Sequence, residues 1–449
     1  MTHSAFRAAG LGLAGCLLSA CSSLPFVGGG DDDSTEEAVE KAGRIAMVLG
    51  DEALTADPEL IDVSVDLPPA EAVNAWPQTG GGAQKLPGHV IAGEGLRVAW
   101  TRNAGRGSDR FQAVTAAPVT SETAIFVIDA NQTVRAFNLS GGREIWERDI
   151  DSGSRRDKLV NGGGIAYDDG RVYAASGFGL VIAMDAETGS EVWRRQFDSP
   201  MIGSPTIRDG RVFVLSNNNE VFALSAATGD TEWSDQAISE NARVLGSPSP
   251  AAVEDIVVVP FSSGEVITFL ASNGRRLWSD ALTRSGSFTP ISAINDISAR
   301  PVLASGLVFA SSQSGVTVAL DGRSGGRVWS QAIGSIGAPA IVGQFVFVMG
   351  VDGQIAALLG ETGQVVWARQ LPQFENEKKK KGKISYRGPL VASDRIIVVS
   401  SEGDMIALSP QTGEEVGRLD LKDTVFIEPI AADGKIFVLT DDARLIAIE

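Results

Sequence analysis

The sequence predicts an all-β protein, an eight-bladed β-propeller built from four-stranded antiparallel blades. The first observation behind this is an 11-residue register, Ala-x-Asp-x-x-Thr-Gly-x-x-x-Trp, complete at Ala183 to Trp193. It recurs at Ala136 to Trp146, Ala223 to Trp233, Thr268 to Trp278, Ala319 to Trp329 and Ala357 to Trp367, and at Ala407 to Gly417 without its tryptophan. The second is the period. From Trp100 onward the tryptophans are spaced 46, 47, 40, 45, 51 and 38 residues apart, and Gly417 lies 50 beyond the last, which suits a four-strand blade better than a shorter solenoid repeat. The third is composition: 51 glycines, 6% aromatic and 21% charged residues mark a turn-rich chain.

Taken in order, residues 1–20 form a secretory signal. Arg7 precedes an apolar stretch from Ala8 to Ala20, the length of an h-region and too short to span a bilayer. The stretch ends in Leu18-Ser19-Ala20-Cys21, which resembles a bacterial lipobox and makes Cys21 the lipidated residue; several acyl chains on one residue give stable anchoring. Cys16 lies in the discarded leader. By resemblance to lipoprotein sorting, Ser22 and Ser23 in place of aspartate favour the outer membrane. Residues 21–94 are expected to form a lipidated tether: SSLPFVGGGDDD is flexible, Ser34 to Glu37 has capping-box spacing for a short helix to about Leu49, and an extended segment follows. His89, the sole histidine beyond the leader, is expected to be a solvated loop residue.

The propeller is expected over 95–449. In the repeat Gly170 to Trp193, Arg171-Val-Tyr-Ala-Ala is a strand, Ser176 to Gly179 turns the chain, Leu180 to Met184 returns, and Glu187-Thr188-Gly189 reverses it into Glu191-Val192-Trp193. Gly189 fits a turn position needing φ > 0. A short strand before each such unit completes four. One such sheet would expose two apolar faces and two edges, and radial stacking covers both. Blade openings fall near Ala117, Gly164, Gly203, Gly246, Arg300, Gly337, Gly388 and Glu428. The last repeat ends one strand short, and Leu96 to Trp100 supplies it, so an N-terminal strand should close the final blade.

The repeat resembles the tryptophan-docking motif of the pyrroloquinoline-quinone (PQQ)-like propeller family, across residues 96–449. With the lipobox and the stretch Asn74-Ala-Trp76-Pro-Gln-Thr-Gly-Gly, the chain is most similar to the propeller lipoproteins of the outer-membrane β-barrel assembly machinery. The resemblance implies a non-enzymatic scaffold on the periplasmic face of the outer membrane, a monomer within a hetero-complex. Its partners would be the central barrel-inserting subunit and unfolded outer-membrane clients. The rival class within the resemblance is a quinoprotein dehydrogenase, whose site carries vicinal cysteines and a calcium held by carboxylates and amides. No vicinal cysteines occur here, and Asp185 and Asp321 sit inside the repeat, where they should accept hydrogen bonds in the turn. No catalytic residue, cofactor or metal is therefore expected. A glycan-binding propeller is the third class, and few aromatics remain for it once the motif tryptophans are assigned.

The net charge of −18 repels a phosphate backbone, so nucleic acid is excluded as a partner. Turns between third and fourth strands are short and uniform, whereas connections between blades are long and varied, and recognition usually sits on such loops. The resemblance places the subunit-binding loops before the blades opening near Gly246 and Arg300. A family apolar-then-basic pair falls on Val244 and Leu245; Val244 keeps its character, Leu245 loses the charge, and Arg243 is adjacent to supply it. Asp296 matches a family acidic position, and Ser298 replaces another. Arg243, Val244, Leu245 and Asp296 are thus the candidate partner-binding residues. The basic run Lys378 to Lys383 is expected to be a solvated loop, or a contact for an acidic partner surface or anionic lipid headgroups.

Overall fold

A computed structural model describes residues 54–151, 160–238, 248–282 and 297–449, all within one compact unit, Ala53–Glu449. Eight four-stranded antiparallel sheets make up the ring. Their innermost strands, in order, are Val119–Thr120, Gly163–Asp168, Thr206–Arg208, Ala251–Val253, Val302–Ala304, Ala340–Val342, Tyr386–Ala392 and Ile430–Ala432, and these define blades 1 to 8. Inner and middle strands are almost wholly buried apolar residues. Outer strands bury little beyond the motif tryptophan, as in Glu191–Gln196. That gradient is what a sheet stacked on neighbours near the axis and wetted at its rim requires.

The repeat motif is a docking device between blades. Ala183 pairs across the ladder with Trp193, and a bulge follows between Ala183 and Met184; the same bulge recurs at Ala223/Leu224 and Ala357/Leu358. A small residue opposite leaves room for the indole, and the bulge re-aims the strand. The indole then reaches the next blade's third turn. Trp146 Nε1 donates to Ala186 O at 2.9 Å, Trp193 to Ala226 O at 2.9 Å, and Trp367 to Pro410 O at 2.8 Å. Gly189 lies beneath the Trp146 ring with φ 67°, and a Cβ there would stand 2.7 Å from the indole. The motif aspartate shapes the turn: Asp185 Oδ1 accepts from Thr188 N at 2.9 Å and Thr188 Oγ1 at 2.7 Å. These bonds hold its carboxyl below the usual range.

The ring closes with the strand Val98–Asn103, which pairs antiparallel with Arg444–Ile448 to complete blade 8. Trp100 from this strand docks on blade 1, donating to Ser140 O at 3.2 Å. At the seam no hairpin exists. Arg97 N donates to Glu449 O at 3.1 Å and Glu449 N to Arg97 O at 2.9 Å, beside an Arg97–Glu449 ion pair at 3.1 Å. Here the missing tryptophan of the seventh repeat is explained, since a Cβ on Gly417 would lie 2.9 Å from Leu96 Cδ1. The leucine fills from one side of the seam the space that an indole fills elsewhere from the other.

Residues 54–94, expected to be tether, instead form a strap bound to the ring, so the compact unit begins well before residue 95. Two glutamines clamp its start by imitating a strand partner. Gln354 takes Leu54 N on Oε1 at 3.1 Å and gives Nε2 to Leu54 O at 3.1 Å, and Gln411 does the same to Val65 at 2.9 and 2.6 Å. The strap then circles the axis, bonding inner strands in ring order. Val73 O accepts from Asp433 N in blade 8, Trp76 O from Thr120 N in blade 1, Pro77 O from Tyr167 N in blade 2, Ala83 O from Ala252 N in blade 4 and Gln84 O from Leu303 N in blade 5. The Gln78 amide bonds Ile207 in blade 3, Leu86 packs with the blade 6 core, and Val90 N donates to Val391 O in blade 7. These contacts sit beside the first turn of each blade, so the strap covers that end of the axis.

His89 belongs to this strap and is buried, contrary to the solvated loop expected. Its Nε2 accepts from Asp394 N at 2.9 Å, so Nδ1 carries the proton it donates to Pro68 O at 2.7 Å. Both ring nitrogens serve the docking. The expected helix to Leu49 and the lipobox lie outside the described residues.

Candidate functional site

In an antiparallel four-stranded blade, the second turn and the connection to the next blade share one end of the ring. The first and third turns share the other, which here also carries the strap. The two connections that carry the predicted partner residues leave Thr231–Gln236 and Arg276–Ala281 and enter Ala251–Val253 and Val302–Ala304, so their described ends lie at the open end, between blades 3 and 4 and blades 4 and 5. Arg243, Val244, Leu245 and Asp296 themselves lie outside the described residues, as does Cys21. Their flanks are anchored. Ile297 is buried in a cluster with Leu282 and Leu303, and the Asn219 side chain bonds Ile238 O at 2.5 Å.

Among the described residues, three apolar side chains on inter-blade connections of this end stand in water: Ile238, 67% exposed, Phe111, 51%, and Phe426, 41%. The Arg110 guanidinium lies 4.4 Å over the Phe111 ring. Their signal in the sequence was a large apolar residue in an irregular, polar connection, visible only once the blade boundaries are fixed. The basic run forms a hairpin on the same end, Phe374–Asn376 against Lys381–Lys383, with the lysines exposed.

At the centre of this end, a cavity of about 260 Å³ descends the axis. Thr79 of the strap, Ser298, Arg300, Arg387, Phe426 and Glu428 line it. Arg300 Nη1 is ion-paired with Glu428 Oε1, both largely buried. Burial brings Arg387 down to about 10, against the opposing pull of Glu428. Lys85, on the strap beside Arg300, is 1% exposed; burial first, then the Arg300 charge, push its amine well below the ordinary lysine range, with Glu428 opposing.

A calcium-held quinone would need carboxylate and amide donors here. The lining instead sets two arginines against two carboxylates, Glu428 is committed to Arg300 and leaves Asp441 as the other acid, and the sequence has no adjacent cysteines. Among the described residues no three His, Cys, Asp or Glu side chains stand close enough to hold a metal. The residues do not fit that cofactor.

Residues 130–369 and 351–449 match the family model described as Outer membrane protein assembly factor BamB, more than half of the chain. The chain belongs to this family. BamB relatives span the ring: the assembly factor of Escherichia coli (strain K12) is 28% identical over 355 residues, covering 78% of this chain and 88% of the relative. That of Shigella dysenteriae serotype 1 is 29% identical with the same coverage. Among solved structures, BamB from Moraxella catarrhalis superposes with a TM-score of 0.66 at 18% identity, over 78% of this chain and 99% of that one. A quinohemoprotein alcohol dehydrogenase from Comamonas testosteroni gives 0.59 at 14% identity, over 82% and 77%. Likeness at these identities reports the shared propeller and not a shared chemistry. The family match covers blades 2 to 7, the last two strands of blade 1 and blade 8 without its closing strand, whereas the strap lies outside it.

Proposed function

We propose that this chain is a non-enzymatic scaffold lipoprotein of outer-membrane protein assembly. It is anchored through Cys21 at the periplasmic face of the outer membrane, and its inter-blade end docks the central barrel-inserting subunit of the assembly complex. The observation that carries the reading is the family match over most of the ring. The site chemistry supports it: a ring whose repeat residues are spent on blade contacts leaves loops, and not a catalytic constellation, as the variable part. Unfolded outer-membrane clients are the second class of partner in this reading. A pull-down with the lipidated protein from native membranes should bring down the β-barrel assembly complex; an eluate without it would end the scaffold reading.

Anchoring has its own expected outcome. With Cys21→Ser the protein should leave the membrane fraction after a high-salt wash, since among the described residues no helix is long and apolar enough to cross a bilayer. Retention in the membrane would place the anchor elsewhere. For the docking loops, Val244→Glu with Asp296→Arg should weaken capture of the barrel-inserting subunit by about 2 kcal/mol or more, roughly 30-fold in affinity, at unchanged Tm. Thr188→Ala, in a turn at the opposite end, should lower Tm and leave capture alone. Wild-type capture by the double variant would move the docking surface to the lysine hairpin.

A further inference from the structure

We infer that the axial cavity is a binding site for a small oxyanion, a phosphate or carboxylate group held between Arg300 and Arg387 with the hydroxyls of Ser298 and Thr79. This inference stands apart from the docking role and would survive its failure. Four observations converge on it, and the first is shape. The strap covers one end of the axis, so the cavity opens toward the loop end, and its volume of about 260 Å³ is many times the roughly 10–15 Å³ that one water needs.

The second is hydrogen bonding. Lys85 Nζ, Arg300 Nε, Ser298 Oγ and Thr79 Oγ1 are all buried without a partner. A guanidinium N–H only donates, so what would satisfy Arg300 Nε is an acceptor. Third, the chain's acidic balance is locally offset. Three basic side chains, Lys85, Arg300 and Arg387, gather about Glu428, which is already paired with Arg300, while Asp441 lies at the cavity wall. Elsewhere the chain is acidic, with a net charge of −18. A planar guanidinium fork suits a two-oxygen anion better than a point cation does.

The fourth observation is cost. An unpaired amine at 1% exposure destabilises the fold, and a methionine of similar length would fill the space without that penalty. Features that weaken a fold gather where a ligand is handled. An anion entering the cavity supplies an acceptor and an opposing charge to the lining guanidinium groups of Arg300 and Arg387, and an opposing charge to Lys85 behind Arg300. Its binding free energy then appears directly as added stability of the folded ring.

The test uses the full lipidated chain in detergent, titrated separately with inorganic phosphate and with succinate against chloride at matched ionic strength, reading Tm and binding heat. Saturable binding of at least one is expected, with Tm raised by a few degrees at about 100 times Kd; the tighter of the two arms identifies the headgroup chemistry. Arg387→Gln and Ser298→Ala should each weaken binding at least tenfold, the latter with the unliganded Tm unchanged. Lys85→Met should raise the unliganded Tm while weakening binding. Arg194→Gln, altering an exposed arginine paired with Glu191, should bind as wild type. No saturable response to either anion, or wild-type affinity in both Ser298→Ala and Arg387→Gln, would overturn the inference.

Discussion

Deleting Val98–Asn103 should destroy the cooperative unfolding of the ring. The strand supplies five paired positions against Arg444–Ile448, at about 1 kcal/mol for each hydrogen bond. It also carries Trp100, whose ring lies 5.8 Å from Phe437 and docks on blade 1. Without it, blade 8 presents an open edge and blade 1 loses its neighbour's wedge, so the two losses compound at one junction. Together they approach the whole net stability of a domain, ~5–15 kcal/mol. The expected result in thermal unfolding is a broad, low transition and a tendency to associate through the bare edge. Deleting residues 22–33 should leave the transition where it is. Equal melting of the two deletions would refute closure by this strand.

Second in size is the effect of Trp76→Ala. Trp76 is 3% exposed and packs with Val90, Ala92, Ile125 and Ala392, joining the strap to blades on both sides of the seam. Truncating such a residue leaves a cavity and costs about 3–5 kcal/mol. Because the strap binds inner strands all around the axis, its release should also uncover amides in blades far from residue 76. Hydrogen exchange should therefore quicken at Ala252 and Leu303, which donate to the strap carbonyls of Ala83 and Gln84 in blades 4 and 5, and Tm should fall. Ile61→Ala, at a position 80% exposed, should change neither. If Trp76→Ala melts with the wild type, the strap is not part of the cooperative unit.

The repeat was legible because its physics is local. Each blade pairs strands that follow one another in the chain, so the turn signals and the tryptophan spacing lie within one window of sequence. The single departure, Gly417, was visible as an irregularity, and its reason was not: Leu96, which packs against it, is more than three hundred residues away. The strap was missed for the same cause. Its clamps, Gln354 to Leu54 and Gln411 to Val65, join residues with no periodic relation, and an extended segment that borrows partners from side chains carries no strand pattern of its own. Nothing in Lys85 or Arg300 as sequence marked them as neighbours.

By itself the sequence determined the number of blades, the order of strands within them, the wedge at each junction and the N-terminal strand that closes the circle. These follow from short-range alternation and from a bulky ring that must find a glycine turn one repeat on. Only the tertiary structure decided that residues 54–94 bind the ring, that His89 is a buried strap contact and that three basic side chains meet at the axis. Ring closure brings chain starts of separate blades to one point, and the burial there, which sets the charge state of Lys85 and the need for an acceptor, is a property of the assembled ring that no stretch of the chain possesses alone.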